Sequence, residues 1–327
     1  MNRIEISNKI NKEEYLNLFQ KIYKEEKKLP FFISDISHSI EFVNQEKTSI
    51  TVSIRSGDGI IAHASLMYDA HSTEARLGFF ELINEKDFPE LWNAILKEVK
   101  TRNIDRIVGP INGSIWFPYR FIKDSNGEPF FKGELPTQKF YQDIFTQIKS
   151  KEIGYYSSFR NKFENIISVT ESSYLNIKQS GYEVFSHDSF TQDLLKEIYD
   201  FSCDIFSVQS IFYDTLPYSY FKILYGETKL QSLFKIYVVR RHGKLIAFLT
   251  VFKEGDETLI FKTIAVLPDE QGRGVGKALI HLAHLEAYQQ GYKKMIYALI
   301  RGDNDVKFFP KDDVENLRTY SLFDISL

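Results

Sequence analysis

Residues 258–300 constrain this chain more than any other stretch. An apolar strand, Leu259 to Val266, passes through Leu267, Pro268, Asp269 and Glu270 into Gln271-Gly272-Arg273-Gly274-Val275-Gly276. A helical run from Lys277 to Tyr288 follows, Gly291 stops it, and a second strand spans Lys294 to Ile300. Strand, glycine-rich turn, helix, strand is a layout that aims the N–H groups of a helix N-terminus at an anion. Gly272, Gly274 and Gly276 allow a sharp turn and close approach of a ligand to the backbone. Arg273 and Lys277 add positive charge to the helix dipole, and together these features suit a pyrophosphate. The spacing G-x-G-x-G is not the dinucleotide fingerprint G-x-G-x-x-G. Nor is it a Walker loop, because Ala278 follows Gly276-Lys277 where Ser or Thr would hold Mg²⁺. The alternative is a plain glycine-rich turn with exposed Arg273 and Lys277.

The rest of the chain is long enough for about two domains, at 327 residues. Tyr15, Leu18, Phe19 and Ile22 predict an amphipathic helix over residues 11–23. Residues 50–54 and 59–67 read as a hairpin across Gly57-Asp58-Gly59, and residues 75–83 as a further strand. A helix over 88–100 and a strand over 106–111 follow. Residues 164–180 are weakly patterned and mark the expected boundary, giving domains 1–165 and 181–327. The second half then restarts with a strand at 182–185, a helix at 193–201 and a shorter helix at 217–226. A hairpin formed by 234–240 and 244–252 leads into the opening unit. The halves share an order of elements, so 261–300 aligns with 76–111. The first half replaces the glycine turn with Asn84 to Glu90, which holds three carboxylates and no glycine. Those carboxylates favour a helix start but repel a phosphate there.

Aromatics are abundant, with 28 Phe and 19 Tyr, and cluster in residues 112–160. Trp116, Phe117, Tyr119, Phe130 and Phe131 either pack over the first domain or wall a pocket. A net charge of −3 gives no electrostatic case for nucleic acid or an anionic membrane surface. The single cysteine, Cys203, excludes an internal disulfide and a multi-cysteine metal site, and its apolar helical setting suits a packed thiol. His281 and His284 stand at i, i+3, not the i, i+4 of a zinc pair, and read as helix-surface or interface residues. The N-terminus is too polar for a secretory segment and no apolar run reaches membrane-span length, so the expected location is cytoplasmic.

The run Ile264 to Pro268 followed by Gln271-x-x-Gly274-x-Gly276 resembles the acyl-coenzyme A signature of the GCN5-related N-acetyltransferase (GNAT) superfamily. The whole chain resembles bacterial tandem GNAT-like proteins, through Gly109 to Arg120 and Leu317 to Phe323. The resemblance implies two tandem GNAT-like α/β domains, each a mixed, mostly antiparallel sheet flanked by helices. The first would lack a pyrophosphate loop. In the second, the fourth strand would splay from the fifth, so that Ile264, Ala265, Val266 and Leu267 hold pantetheine. Gln271, Gly272, Arg273, Gly274, Val275, Gly276 and Lys277 would hold the pyrophosphate, with Asn304 on the cofactor arm. The implied activity is transfer of an acyl group, in the first instance acetyl, from acetyl-CoA or another acyl-CoA to a primary amine. The acceptor would be a small molecule or peptide.

Two departures bear on catalysis. Lys262 and Thr263 stand where many relatives have a strand carboxylate, with Glu257 just before. Phe308, Phe309 and Pro310 stand where many have a tyrosine acid. Glu257 and Tyr320 are the candidate catalytic groups, and Tyr320 also reads as a core residue of the last strand. Asn112, Ser114, Trp116, Tyr119 and Arg120 are candidate acceptor contacts. Orientation supplies most of the gain in direct aminolysis of a thioester, so the chemistry tolerates these losses. A non-catalytic acyl-CoA sensor or scaffold is the rival reading. A transferase drawing on a carrier protein or aminoacyl-tRNA is another.

Overall fold

The computed structural model describes residues 2–69, 71–148, 150–209, 214–228, 232–301 and 314–327. The chain divides into two compact units, Met1–Tyr155 with Thr319–Leu327, and Tyr156–Arg318. Residues 164–180 therefore do not separate them. They lie almost wholly within a helix of the second unit, because Phe163, Ile166, Thr170 and Ile177 present one buried face.

The first unit runs β1 (Arg3–Ser7), α1 (Lys12–Ile22), α2 (Leu29–Glu46), β2 (Thr48–Ser56), β3 (Gly59–Tyr68), β4 (Glu74–Leu82), α3 (Phe88–Thr101), β5 (Arg106–Gly109), β6 (Phe121–Ser125) and α4 (Phe140–Gln147). Strands β1 to β4 pair antiparallel in sequence, and β5 lies parallel to β4. The Asn11 side chain caps α1 by accepting from the Glu14 N–H at 3.3 Å. Leu91, Ile95 and Val99 of α3 bury against Ile50, Val52, Leu77 and Ile107 on one face of the sheet. On the other face, Tyr15 of α1 meets His63 and Phe79 edge-on, with ring centroids 4.8 and 5.6 Å away.

The boundary falls inside β7 (Ser150–Asn161). The second unit continues with α5 (Phe163–Gln179), β8 (Glu183–His187), α6 (Gln192–Gln209), α7 (Tyr218–Phe221), a π-helical segment (Lys222–Thr228), β9 (Leu233–Arg241), β10 (Lys244–Lys253), β11 (Thr258–Val266), α8 (Val275–Gln289) and β12 (Lys294–Arg301). Its sheet order is β7-β12-β11-β10-β9-β8, with β11 and β12 parallel and the other pairs antiparallel. His242 and Gly243, both left-handed at φ 51° and 75°, make the β9–β10 turn. Strand β10 is buried from Leu245 to Phe252, because helices cover both faces of the sheet. Helices α5 and α8 cover one face, and α6 places Phe201 on Phe248 of β10. The last strand, β13 (Glu315–Ser326), returns to the first unit, where Phe323 to Ser326 pair with β5.

Candidate active site

Strands β11 and β12 pair over only four positions, from Thr258 opposite Lys294 to Phe261 opposite Tyr297. Beyond them each strand carries an extra residue with a left-handed backbone, Thr263 at φ 65° and Leu299 at φ 57°. Such bulges bend a strand away from its neighbour. Strand β11 follows β10, with Ile264, Ala265 and Val266 opposite Leu249, Phe248 and Ala247. Strand β12 follows β7, where the Ser158 hydroxyl accepts the Leu299 N–H at 2.9 Å. The parallel pair thus opens into a split, and Leu259–Phe261, buried below it, give way to half-buried Lys262, Thr263 and Ile264.

The glycine turn stands at the open end of this split. A short 3₁₀ turn, Pro268–Glu270, leads out of β11, and Gly272 and Gly274 take φ 76° and 88°, where a side chain would be strained. Gly274 caps α8 with no side chain, and the first intrahelical bond runs from the Ala278 N–H to the Gly274 carbonyl. The N–H groups at the start of α8 therefore face outward with the helix dipole behind them. Gln271 Nε2 ties the turn back to the Val266 carbonyl at 3.2 Å. Glu270 anchors its base, accepting from the Tyr182 hydroxyl and pairing with Arg241 at 3.3 Å and Arg273 at 3.6 Å. The Tyr182 hydrogen bond and these cations hold its carboxyl below the usual range. A Cβ on Gly276 would stand 3.6 Å from Val266 and 3.9 Å from Ile264, so the absent side chain leaves room between the helix start and the split strand.

Residues 232–311 match the family model of the acetyltransferase (GNAT) domain. Part of the second unit is thus similar to a GNAT domain. The whole chain has the fold of tandem GNAT proteins: it is similar to a tandem GNAT protein from the clavulanic acid biosynthesis pathway, at TM-score 0.60 and 11% identity, over 100% of this chain and 98% of that one. A probable N-acyltransferase of unknown function from Enterococcus faecalis matches at TM-score 0.59 and 8% identity, over 99% and 72% of the two chains. The glucosamine N-acetyltransferase region of a fungal multi-domain β-N-acetylglucosaminidase matches at TM-score 0.59 and 14% identity, over 99% of this chain. The chain spans 38% of that fungal protein. No curated protein matches the sequence.

In the second unit, the structure brings Ile264 to Leu267 and Gln271 to Lys277 together around one opening. Asn304, together with Phe308, Phe309 and Pro310, lies outside the described residues. Glu257 precedes β11, at the end away from the glycine turn, and is ion-paired with Lys293. It stands seven positions before Ile264, about 20 Å at the usual rise. Tyr320 falls in the first unit, buried, with its hydroxyl on Glu134. The candidate acceptor residues also lie in the first unit and turn inward. Asn112 bonds the Phe79 N–H and the Pro118 carbonyl, Ser114 is fully buried, and Trp116 and Tyr119 are nearly so. Arg120 lies over the Tyr119 ring at 3.9 Å.

His281 and His284 are buried, not on the helix surface, because α5 closes over one side of α8 and the sheet over the other. His284 is held between the Ile280 carbonyl and the Tyr297 hydroxyl, and His281 stacks on Tyr174. Cys203 is half-buried in α6.

One functional candidate escaped sequence reasoning. The Tyr225 hydroxyl lies 3.3 Å from Thr263 Oγ1, at the bulge where the split begins. The ring is buried, stacked on Phe221 at 4.6 Å and edge-on to Phe190. It sits in the π-helical segment, a widened turn often found at functional sites. The period of an ordinary helix gives no sign of that widening.

The most perturbed cluster of the first unit is sealed. Glu81 is buried, accepts from the Tyr23 and Tyr141 hydroxyls at 3.0 and 2.8 Å, and is pushed up to about 8 by burial. Its cross-strand neighbour His63 is pushed down to about 4 by the same cause.

Proposed function

We propose that the chain transfers an acyl group from acetyl-coenzyme A, or a related acyl-coenzyme A, to a primary amine. The supporting observation is the split of β11 from β12 directly beside the side-chain-free start of α8. The open edge of β11 suits an extended amide-bearing arm, and the amides at the start of α8 suit a pyrophosphate. Ile264 to Leu267 hold the arm and Gln271 to Lys277 the pyrophosphate, with Arg273 and Lys277 adding charge. A side chain at Gly276 would reach towards Val266 and Ile264, into the approach such a ligand would use. Coenzyme A, when bound, supplies the acyl group as a reactive thioester. The chain's own contribution is chiefly orientation, since holding the two reactants in line accounts for most of the acceleration in such a transfer. Tyr225, fixed by Thr263 at the split, holds an exchangeable proton where the acyl group changes hands.

The test is calorimetric titration with acetyl-coenzyme A of the parent and of Gly276→Val, followed by an amine screen for released thiol. Gly276 has an ordinary helical backbone and a Cβ there meets only ordinary contacts, so the far-UV circular dichroism of the variant should match the parent. Gly274→Glu would be a poorer probe, because Gly274 is left-handed and a Cβ there would stand 3.4 Å from Ser173. Binding by the parent, weakened at least about tenfold in the variant, supports the reading. Equal binding by both refutes the assigned site. Binding without thiol release from any amine favours a sensor or scaffold.

A further inference from the structure

We propose that the second unit carries another ligand site, for a small oxyanion borne on an aromatic or apolar body, at the end of the α5–α8 pair away from the glycine turn. A cleft of about 370 Å³ opens there, walled by Asn161, Lys162, Tyr288, Tyr292, Lys293 and Lys294. Helix α5, 17 residues long, begins inside it at Phe163 and Glu164, and its N-cap Lys162 provides no side-chain cap. The N-terminal dipole of a helix of this length attracts an anion.

The second, independent observation is Asn161. It is 3% exposed, its Oδ1 accepts the Lys162 N–H at 2.7 Å, and its Nδ2 has no hydrogen-bond partner among the described residues. A buried amide donor without an acceptor costs about 1–3 kcal/mol, so a residue of this kind lining a cleft is a binding group awaiting an oxygen.

Charge points the same way. Arg160, Lys162, Lys293 and Lys294 outnumber Glu164 and Glu315 in the lining, and with Glu257 counted as the partner of Lys293 one positive charge remains in excess. Glu315 grips Arg160 with two bonds of 2.9 and 2.5 Å, and Lys293 pairs with Glu257. Lys294 is exposed at the start of β12. Two tyrosines give the cleft its apolar walls: Tyr288 is 51% exposed and Tyr292 packs edge-on to Phe234. A lining that combines an amide donor and cations with two phenol rings suits an oxyanion attached to a ring or short apolar body.

The cleft is separate from the glycine turn. Ser173 of α5 lies by Gly274, Thr170 by His281 and Phe163 by His284, so α5 runs antiparallel to α8. The 15 residues of α8 place the two ends about 20 Å apart.

The experiment titrates the full chain with phenyl phosphate and, separately, with benzoate, following chemical shifts by NMR. Asn161→Asp replaces the donor with a carboxylate of the same shape, and Lys294→Glu reverses an exposed charge without touching the core. Saturable binding in either arm, weakened at least about tenfold in both variants, supports the site, and the stronger arm tells phosphate ester from carboxylate. The proposal is overturned by no saturable binding of either compound, by unchanged affinity in the two variants, or by displacement of the compound on adding coenzyme A.

Discussion

The Phe79 N–H donates to Asn112 Oδ1 at 2.8 Å, and this bond marks how the two units differ. Each parallel strand pair opens at a left-handed residue, Phe79 at φ 49° in β4 and Thr263 at φ 65° in β11. In the first unit the chain itself fills the opening: the Ile111 N–H bonds the Leu77 carbonyl at 2.7 Å, and a Cβ on Gly78 would come within 2.3 Å of the Ile111 oxygen. Residues 111 and 112 thus take the edge that β11 leaves open. Carboxylates replace the glycine turn beside that filled split, with Glu85 and Asp87 leading into α3.

Asn112→Ala removes both the acceptor of the Phe79 N–H and the donor to the Pro118 carbonyl in a buried place. Orphaning buried backbone groups costs about 1–3 kcal/mol each. The first unit should lose roughly 2–4 kcal/mol in urea unfolding, while acetyl-coenzyme A titrates as in the parent. A loss under about 1 kcal/mol would show that water or a neighbour takes over these bonds.

Tyr225→Phe keeps the ring stacked on Phe221 and deletes only the hydroxyl beside Thr263. If that hydroxyl handles a proton in the transfer, kcat for thiol release falls about 10²-fold at unchanged coenzyme A affinity. Thr263→Val removes the tether and should lower kcat less. An unchanged kcat in Tyr225→Phe would reduce the tyrosine to a packing role.

The glycine turn was legible in the sequence because local rules dictate it: left-handed turn positions favour glycine, and closely spaced glycines between a strand and a helix mark such a turn. Helix α2 carried its period in Phe32, Ile36, Ile40 and Val43, yet Pro30, Ser37 and Ser39 broke up the surrounding pattern. Residues 112–160 show no clear helix or strand period in the sequence, only clustered aromatics, but they contain β6, α4 and most of β7, whose burial depends on partners far away in sequence. The inward turn of Asn112 could not be read either. Its partner Phe79 is 33 residues distant, and only the strand bulge exposes the N–H it captures. The Asn161 donor was hidden for the same reason, since nothing local shows which amide nitrogen lacks a partner.

Glu81 ties stability of the first unit to alkaline pH. Its folded pKa of about 8 lies above the ordinary carboxylate value of 4.5, so between these values the folded chain holds a proton that the unfolded chain has lost. Stability from this group is complete below about pH 4.5 and falls as pH rises towards 8, by up to about 1.4 kcal/mol per pH unit. Glu81→Gln keeps an oxygen for the Tyr23 and Tyr141 hydroxyls and cannot ionise. The variant should match the parent near pH 5 and exceed it at pH 8.5 in urea denaturation. Parallel curves at both pH values would mean that Glu81 ionises as readily in the fold as out of it.

His284 works in the opposite direction in the second unit. The Ile280 carbonyl can only accept, so Nδ1 donates to it at 2.6 Å and Nε2 accepts from the Tyr297 hydroxyl. Both nitrogens are occupied by the neutral ring, and burial pushes its pKa down to about 4 from 6.5. Below about pH 6.5 the unfolded chain takes up a proton that the folded one refuses. This contribution to stability is therefore present above 6.5 and drains away as pH falls to 4, again by up to about 1.4 kcal/mol per pH unit. His284→Phe alone would strand the Tyr297 hydroxyl, whereas His284→Phe with Tyr297→Phe removes both partners, a change that can be nearly neutral. Urea unfolding of the double variant between pH 7 and 4.5 should show a shallower acid loss than the parent. Equal slopes would mean that His284 protonates within the fold, its hydrogen bonds to Ile280 and Tyr297 giving way to the charge.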